Sequence, residues 1–276
     1  MTTIRRPFPP GSATGGGDRP GRPEELRAVE FFDAPHLDLV EVAAPALSAA
    51  ERLGMDRIWA RDAARNPALF DGPVIACTAL ERSTLGKLVL SWAPVSYRYR
   101  ALRQVSAAWK PSAVFVTVLQ PVTGGGLVVG RESASTAHPG RWQIPGGSVE
   151  PPPAGQPLDL DSLRQHAARE LAEEVGPKVE ADTLKLWAVS RGEHGNVGIH
   201  FVSQPLPEDL VRRHHRELLS SLGDGVEPEL EQIEIVESEQ QLAALGRTVD
   251  YLAPLLGRWT AAPQASAADP ATGSGG

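Results

Sequence analysis

The chain has 276 residues, a formal net charge of −7 and a single cysteine, Cys77. That length allows one large domain or two small ones. No apolar run approaches a membrane span, no apolar stretch follows Arg5 and Arg6 to make a secretory signal, and one cysteine excludes an internal disulfide. These features fit a reducing cytoplasm, and the acidic balance argues against a nucleic-acid binder, which would carry a basic face.

Residues 1–23 are rich in Gly, Pro, Thr and Arg, and residues 263–276 in Ala, Pro, Ser and Gly. Both are expected to be disordered arms, with too little apolar surface to offset ordering. Folded sequence is expected from Glu24. Leu37–Val42 alternates like a strand, and Ala46–Arg65 reads as an amphipathic helix. Its core positions would be Leu47, Ala50, Leu53, Ile58, Trp59 and Ala63, and Asn66-Pro67 would stop it. After the Asp71-Gly72 turn, Val74–Thr78 is a buried strand and Gly86–Ala93 its hairpin partner. Ser96–Arg103, basic and aromatic, reads as a helix.

Ala113–Leu119 is an apolar central strand. Thr123-Gly124-Gly125-Gly126 turns the chain and Leu127–Arg131 returns it. Arg141–Ile144 then delivers it into Pro145-Gly146-Gly147. A helix from Asp161 to Val175 is capped by Asp161 or Ser162 and stopped by Gly176-Pro177. Beyond it come strands at Leu184–Val189 and Gly198–Ser203, a helix at Glu208–Leu222, a strand at Ile233–Val236 and a closing helix at Asp250–Trp259. The order describes a mixed sheet between helices.

The chemistry concentrates in the Asp161–Val175 helix. Leu163, Ala167, Leu171 and Val175 recur every four residues as a buried stripe. Glu170, Glu173 and Glu174 stand at i, i+3 and i+4, so three like charges share one patch and repel. A hard divalent cation resolves that conflict, because it takes oxygen ligands and bridges to phosphate. Arg169 lies one turn before Glu173 and could orient it. The string Arg169-Glu170-Leu171-Ala172-Glu173-Glu174-Val175-Gly176 is unusual enough to outweigh a solvated acidic face; its chance occurrence is on the order of one in ten thousand.

Gly147 followed by that string resembles the signature of the Nudix hydrolases, G-x5-E-x7-R-E-U-x-E-E-x-G-U with U apolar. Two departures stand out. Asp161 takes the place of the early glutamate, and Pro151–Pro157 lengthens the loop before the helix; Pro177 also replaces an apolar residue. The resemblance covers roughly Ser112–Ala262. It implies an α/β (α+β) fold, a Nudix-type α/β/α sandwich with a mixed sheet at residues 111–262, preceded by a small α+β N-terminal domain at residues 24–110. Three features in order, Asn66–Gly72, Ser96-Tyr97-Arg98 and the lengthened loop, resemble the subgroup that cleaves UDP-glucose and UDP-galactose to UMP and sugar 1-phosphate.

That resemblance implies Mg²⁺, or Mn²⁺, on Glu170, Glu173 and Glu174, with Arg169 and Glu173 catalytic. It also implies a small nucleotide-type substrate held by Gly146, Gly147, Tyr97 and Arg98, with no nucleic acid or membrane partner, and a homodimer as a prior. A general base on the loop before the last strand would be Glu227, Glu229 or Glu231, with Glu229 favoured by its spacing to Ile233–Val236. His214 and His215 are read as surface residues, since no further Cys or His completes a metal site. ADP-ribose, a nucleoside triphosphate or a prenyl diphosphate are alternative substrates. A nucleotide sensor that binds without cleaving is the alternative from another class.

Overall fold

The Ser112–Leu119 strand sets the architecture, because its side chains alternate between two cores. Val114, Val116 and Val118 enter one buried cluster, and Phe115 and Leu119 face another. The computed structural model describes residues 28–33, 36–67, 69–83, 87–223 and 225–262; the expected arms at residues 1–23 and 263–276 lie outside them. In chain order the strands are β1 (Glu30–Phe32), β2 (Leu37–Glu41), β3 (Pro73–Arg82), β4 (Leu88–Ser96), β5 (Ser112–Leu119), β6 (Leu127–Glu132), β7 (Trp142–Gln143), β8 (Lys185–Arg191), β9 (Val197–Val202) and β10 (Leu230–Val236). The helices are α1 (Ala49–Arg65), α2 (Leu160–Glu174), α3 (Glu208–Ser221), α4 (Glu239–Leu245) and α5 (Leu252–Ala261).

Seven strands form one mixed sheet in the order β1-β8-β9-β5-β3-β4-β2, and β10-β6-β7 form a second. The β2–β4 and β5–β9 pairs are parallel. On one face, Leu163, Ala167 and Leu171 of α2 and Val175 at its C-cap are fully buried against the β5 valines. The second core joins β6, β7 and α5 through Leu127, Trp142, Ile144 and Leu255. A mixed sheet with helices is the expected architecture, and strands from the first third of the chain precede and extend it. Through β3, which pairs with β5 at Ala76–Ala113 and Cys77–Ser112, those strands belong to the same sheet.

Several local readings change. Glycines 124, 125 and 126 all take positive φ (102°, 117° and 88°), a region that suits residues without a Cβ. The turn returns the chain to an antiparallel bridge between Leu127 and Pro121, with Val128 N donating to Gln120 O at 3.0 Å just beyond β5, and β6 then pairs with β7 and β10 in the second sheet. The cap of α2 is Asp159, and Ser162 closes the capping box as its third residue, so neither Asp161 nor Ser162 is the cap. Leu53 is 60% exposed and Ala50 is exposed, because α1 packs through Met55, Ile58 and Trp59, the opposite side of the helix. The Tyr97–Gln104 segment is a 3-10 helix. β1 and α4 have no counterpart among the expected elements, being short.

His200 of β9 is fully buried between Thr117 Oγ1 and Ser190 Oγ, each 2.7 Å from a ring nitrogen. Burial depresses its pKa to about 3, so the folded state releases a proton that the unfolded chain keeps up to its ordinary value near 6.5. Stability is present above that value and falls as pH drops from about 6.5 towards 3, with a limiting slope of about 1.4 kcal/mol per pH unit. Urea unfolding between pH 7 and pH 5 is expected to show this extra slope in the natural chain and to lose it in His200→Gln. Equal slopes would contradict it.

Candidate active site

A strip of main chain, Pro145–Val149, brings the two glycines to the carboxylates. Val118 N donates to Pro145 O (2.9 Å), Val116 N to Gly147 O (3.0 Å) and Val149 N to Val114 O (2.9 Å). On its other side Ile75 N of β3 donates to Val149 O at 2.9 Å, so the strip fills the split where β3 and β5 diverge. A side chain at Gly146, φ +154°, would put its Cβ 2.0 Å from Val116 O. A Cβ at Gly147 would lie 2.5 Å from Glu170 Oε2. Gly146 is required by its close approach to main chain, whereas a side chain at Gly147 would displace the end of the Glu170 side chain.

Opposite the strip, α2 presents Glu170 and Glu174. Gly146 N donates to Glu174 Oε2 at 2.6 Å, while Glu174 Oε1 is buried with no hydrogen-bond partner. Burial first, then the charges of Glu229, Glu170 and Glu132, push the Glu174 carboxyl well above the ordinary range, against the pull of the Gly146 N–H. Glu170 Oε1 lies 2.8 Å from His166 Nε2 and 3.5 Å from Arg169 Nη2. Glu173 points outward, 63% exposed, with Arg169 Nε 3.9 Å from its Oε2. Asp161, at the early-glutamate position, pairs with Arg164 at 2.5 Å. His166, one helical turn before Glu170, is the residue that contacts it from the N-terminal side.

The opposite wall comes from the second sheet. Ser133 N donates to Glu229 O at 2.9 Å, which sets the start of β10 beside the end of β6, where Leu230 and Glu132 are in register. Glu132 is held by Arg141, with Nε and Nη2 at 2.9 and 2.7 Å from Oε1, and by Thr136 Oγ1 at 3.1 Å. Glu229 is open to solvent on one side, yet partial desolvation and the charges of Glu170, Glu173 and Glu132 raise its carboxyl pKa. A cavity of about 350 Å³ lies between the strip and the second sheet, lined by Glu132, Arg141, Gly146, Gly147, Glu229 and Tyr97 among others, and Glu170 lines a neighbouring one with Gly147 and Glu229.

Of the expected residues, the structure brings together Glu170, Glu174, Gly146, Gly147, Glu229 and Tyr97. Glu173 and Arg169 stand at the solvent edge of this group. Arg98 does not line this cavity; its N and Nε bind Asp71 at 2.8 and 2.5 Å. Glu227 lines an adjoining cavity with Glu229, and Glu231 pairs with Arg131 at 3.2 Å. His215 is not a surface residue: it is 4% exposed, with Nε2 3.2 Å from Leu230 O. Glu132, Arg141 and His166 escaped the sequence reading. The i, i+4 spacing of His166 to Glu170 was a usable signal, as was a glutamate closing the apolar β6.

Residues 109–254 match the model of the NUDIX domain. The chain belongs to the Nudix family. As a Nudix protein it is a pyrophosphate hydrolase, of a family that uses divalent metals on small nucleotide-type substrates. Among solved structures it is similar to the MutT protein of Methanosarcina mazei Go1, with 18% identity, 55% of this chain and 96% of that chain covered, and a TM-score of 0.38. It is also similar to DR0079 of Deinococcus radiodurans, with 18% identity, 67% and 98% covered, and a TM-score of 0.37. A third likeness is to a bifunctional NMN adenylyltransferase/ADP ribose pyrophosphatase of Francisella tularensis, with 17% identity, 55% and 42% covered, and a TM-score of 0.33. No curated protein matches the chain.

Among the described residues of this Nudix protein, no three His, Cys, Asp or Glu groups already converge as a metal cage. The donor set nevertheless fits a hard cation. A buried carboxylate oxygen lacks a partner, the neighbouring charges are of like sign, and oxygen donors are what such a cation takes. Removing the Glu174 charge while keeping its shape is therefore expected to stabilise the metal-free protein. Glu174→Gln should melt a few degrees higher without added cation, at roughly 2–4 °C per kcal/mol for a chain of this size. The gain should grow as pH rises, because a raised carboxyl pKa costs stability above the ordinary value near 4.3. Calorimetry showing a lower Tm would contradict the reading.

Proposed function

We propose that this Nudix protein hydrolyses the diphosphate of a nucleotide sugar, UDP-glucose or UDP-galactose, to UMP and sugar 1-phosphate with Mg²⁺, or Mn²⁺ in its place. The observation that carries the proposal is the partnerless Oε1 of Glu174, a buried carboxylate bound to Gly146 N; Gly146, with Gly147, Glu229 and Tyr97, lines a cleft. Glu170, Glu173 and Glu174 would hold the metal, with Arg169 beside Glu170 and Glu173. Bound there, the cation offsets the negative charge of the phosphate oxygens that repels a nucleophile.

The chain's own residues supply the rest. Gly146 and Gly147 shape the strip that lines the cleft in which the diphosphate would lie. Glu229 accepts the proton of the attacking water as its oxygen bonds to phosphorus and the bridging P–O bond breaks. A raised pKa brings a carboxylate nearer to the working pH of a general base. Tyr97 touches the nucleotide, and Arg98 fixes the loop that carries it through Asp71. The N-terminal region thus walls the pocket, in keeping with the order of Asn66–Gly72, Ser96-Tyr97-Arg98 and the long loop before α2.

A turnover panel with Mg²⁺ over UDP-glucose, UDP-galactose, ADP-ribose, nucleoside triphosphates and geranyl diphosphate tests the substrate. UMP and sugar 1-phosphate from the UDP-sugars alone are expected; preferred cleavage of another diphosphate would replace the substrate and keep the site. For the base, Glu229→Gln is expected to lower kcat by about 10²–10⁴. An unchanged kcat would remove Glu229 from the role.

A further inference from the structure

Phe70 is 78% exposed, an unusual place for a ring that carries a large apolar surface. Its stretch of chain is fastened on every side. Leu69 N donates to Asn66 O at 3.1 Å, and Asn66 Nδ2 donates to Thr136 O at 3.2 Å, tying the stretch to the loop after β6. The Asp71 carboxylate takes the Arg98 N–H and Nε–H, and Tyr97 N donates to Gly72 O at 2.9 Å. Gly72 leaves room for the ring, since a Cβ there would lie 3.1 Å from Phe70 Cε1. The ring is thus held out by its anchors.

The space it is held towards is the catalytic cleft. Phe70 shares a cavity of about 540 Å³ with Tyr97, Thr136, Gly147, Glu170 and Glu229. We propose that Phe70 is a stacking platform for the nucleobase of the substrate, so that the stretch after α1 reads the base while the carboxylates hold the metal and diphosphate. This rests on the diphosphate-hydrolase reading above. A prenyl chain would need a continuous apolar trough; here Ser135, Thr136, Glu150, Glu170, Glu227 and Glu229 line the cavity beside the apolar Leu69, Pro73 and Val74. A flat group with a polar edge suits both, since every base has a π-face to stack and a rim to hydrate.

The test uses the full chain with UMP, AMP and ribose 5-phosphate as probes in calorimetric titrations. Phe70→Ala is expected to weaken UMP and AMP binding about tenfold or more, the usual range for losing one stacking partner, and to leave ribose 5-phosphate binding unchanged. Phe70→Trp is expected to restore the affinity, and its added fluorescence to be quenched by UMP and not by ribose 5-phosphate. UMP affinity unchanged in Phe70→Ala, or an equal loss for ribose 5-phosphate, would overturn the platform. Diphosphate hydrolysis by a natural chain that binds neither UMP nor AMP would overturn it while leaving the hydrolase reading intact. Absence of both hydrolysis and binding would overturn the two together.

Discussion

The hydrogen bond from the Gly146 N–H to the buried Glu174 carboxylate joins the two halves of the site, and the rest of the structure is arranged to make it possible. Two glycines allow the strip to pass close to Val116 and Glu170. Three residues of α2 and Val175 at its C-cap, buried on β5, fix the rotation of the helix so that Glu174 faces the strip and Glu173 faces water. The result is a carboxylate that a metal-free protein accommodates poorly. Like charges lie nearby and one oxygen has no donor. Such stored unfavourable electrostatics is common where a site must receive a cation, and natural proteins tolerate it at functional positions.

The first third of the chain is built into this arrangement. β3 pairs with β5 over two residues and then with the strip itself, through Ile75 and Val149. β1 extends the opposite edge of the same sheet beside β8. The 3-10 helix after β4 carries Tyr97 to the cleft, while Asp71 and Arg98 lock its start. A structural residue and a cleft residue therefore stand side by side in Tyr97-Arg98.

Much of the helix chemistry was legible because a signature of eight residues specifies both a buried stripe and an acidic face, and each has a fixed period. The strands β5 and β9 follow from apolar runs, and α3 from a charged stretch with apolar residues at helical spacing. Pairing was harder. A strand such as β6 shows its return towards the end of β5 through the turn, but not its pairing with β10, which is distant in sequence. Cavity-lining residues on loops carry no period at all, so Arg141 and Phe70 emerge only when distant segments converge. His166 was readable by helical spacing, but an imidazole beside an apolar stripe is most simply taken as packing.

The most direct measurement is Mn²⁺ binding followed by electron paramagnetic resonance, comparing the natural chain with the Glu170→Gln, Glu174→Gln double variant and monitoring the fold by circular dichroism. The account predicts a saturable Mn²⁺ site in the natural chain, competed by Mg²⁺ and weakened at least about tenfold in the variant while the fold persists. Undiminished Mn²⁺ binding in a folded variant would contradict it.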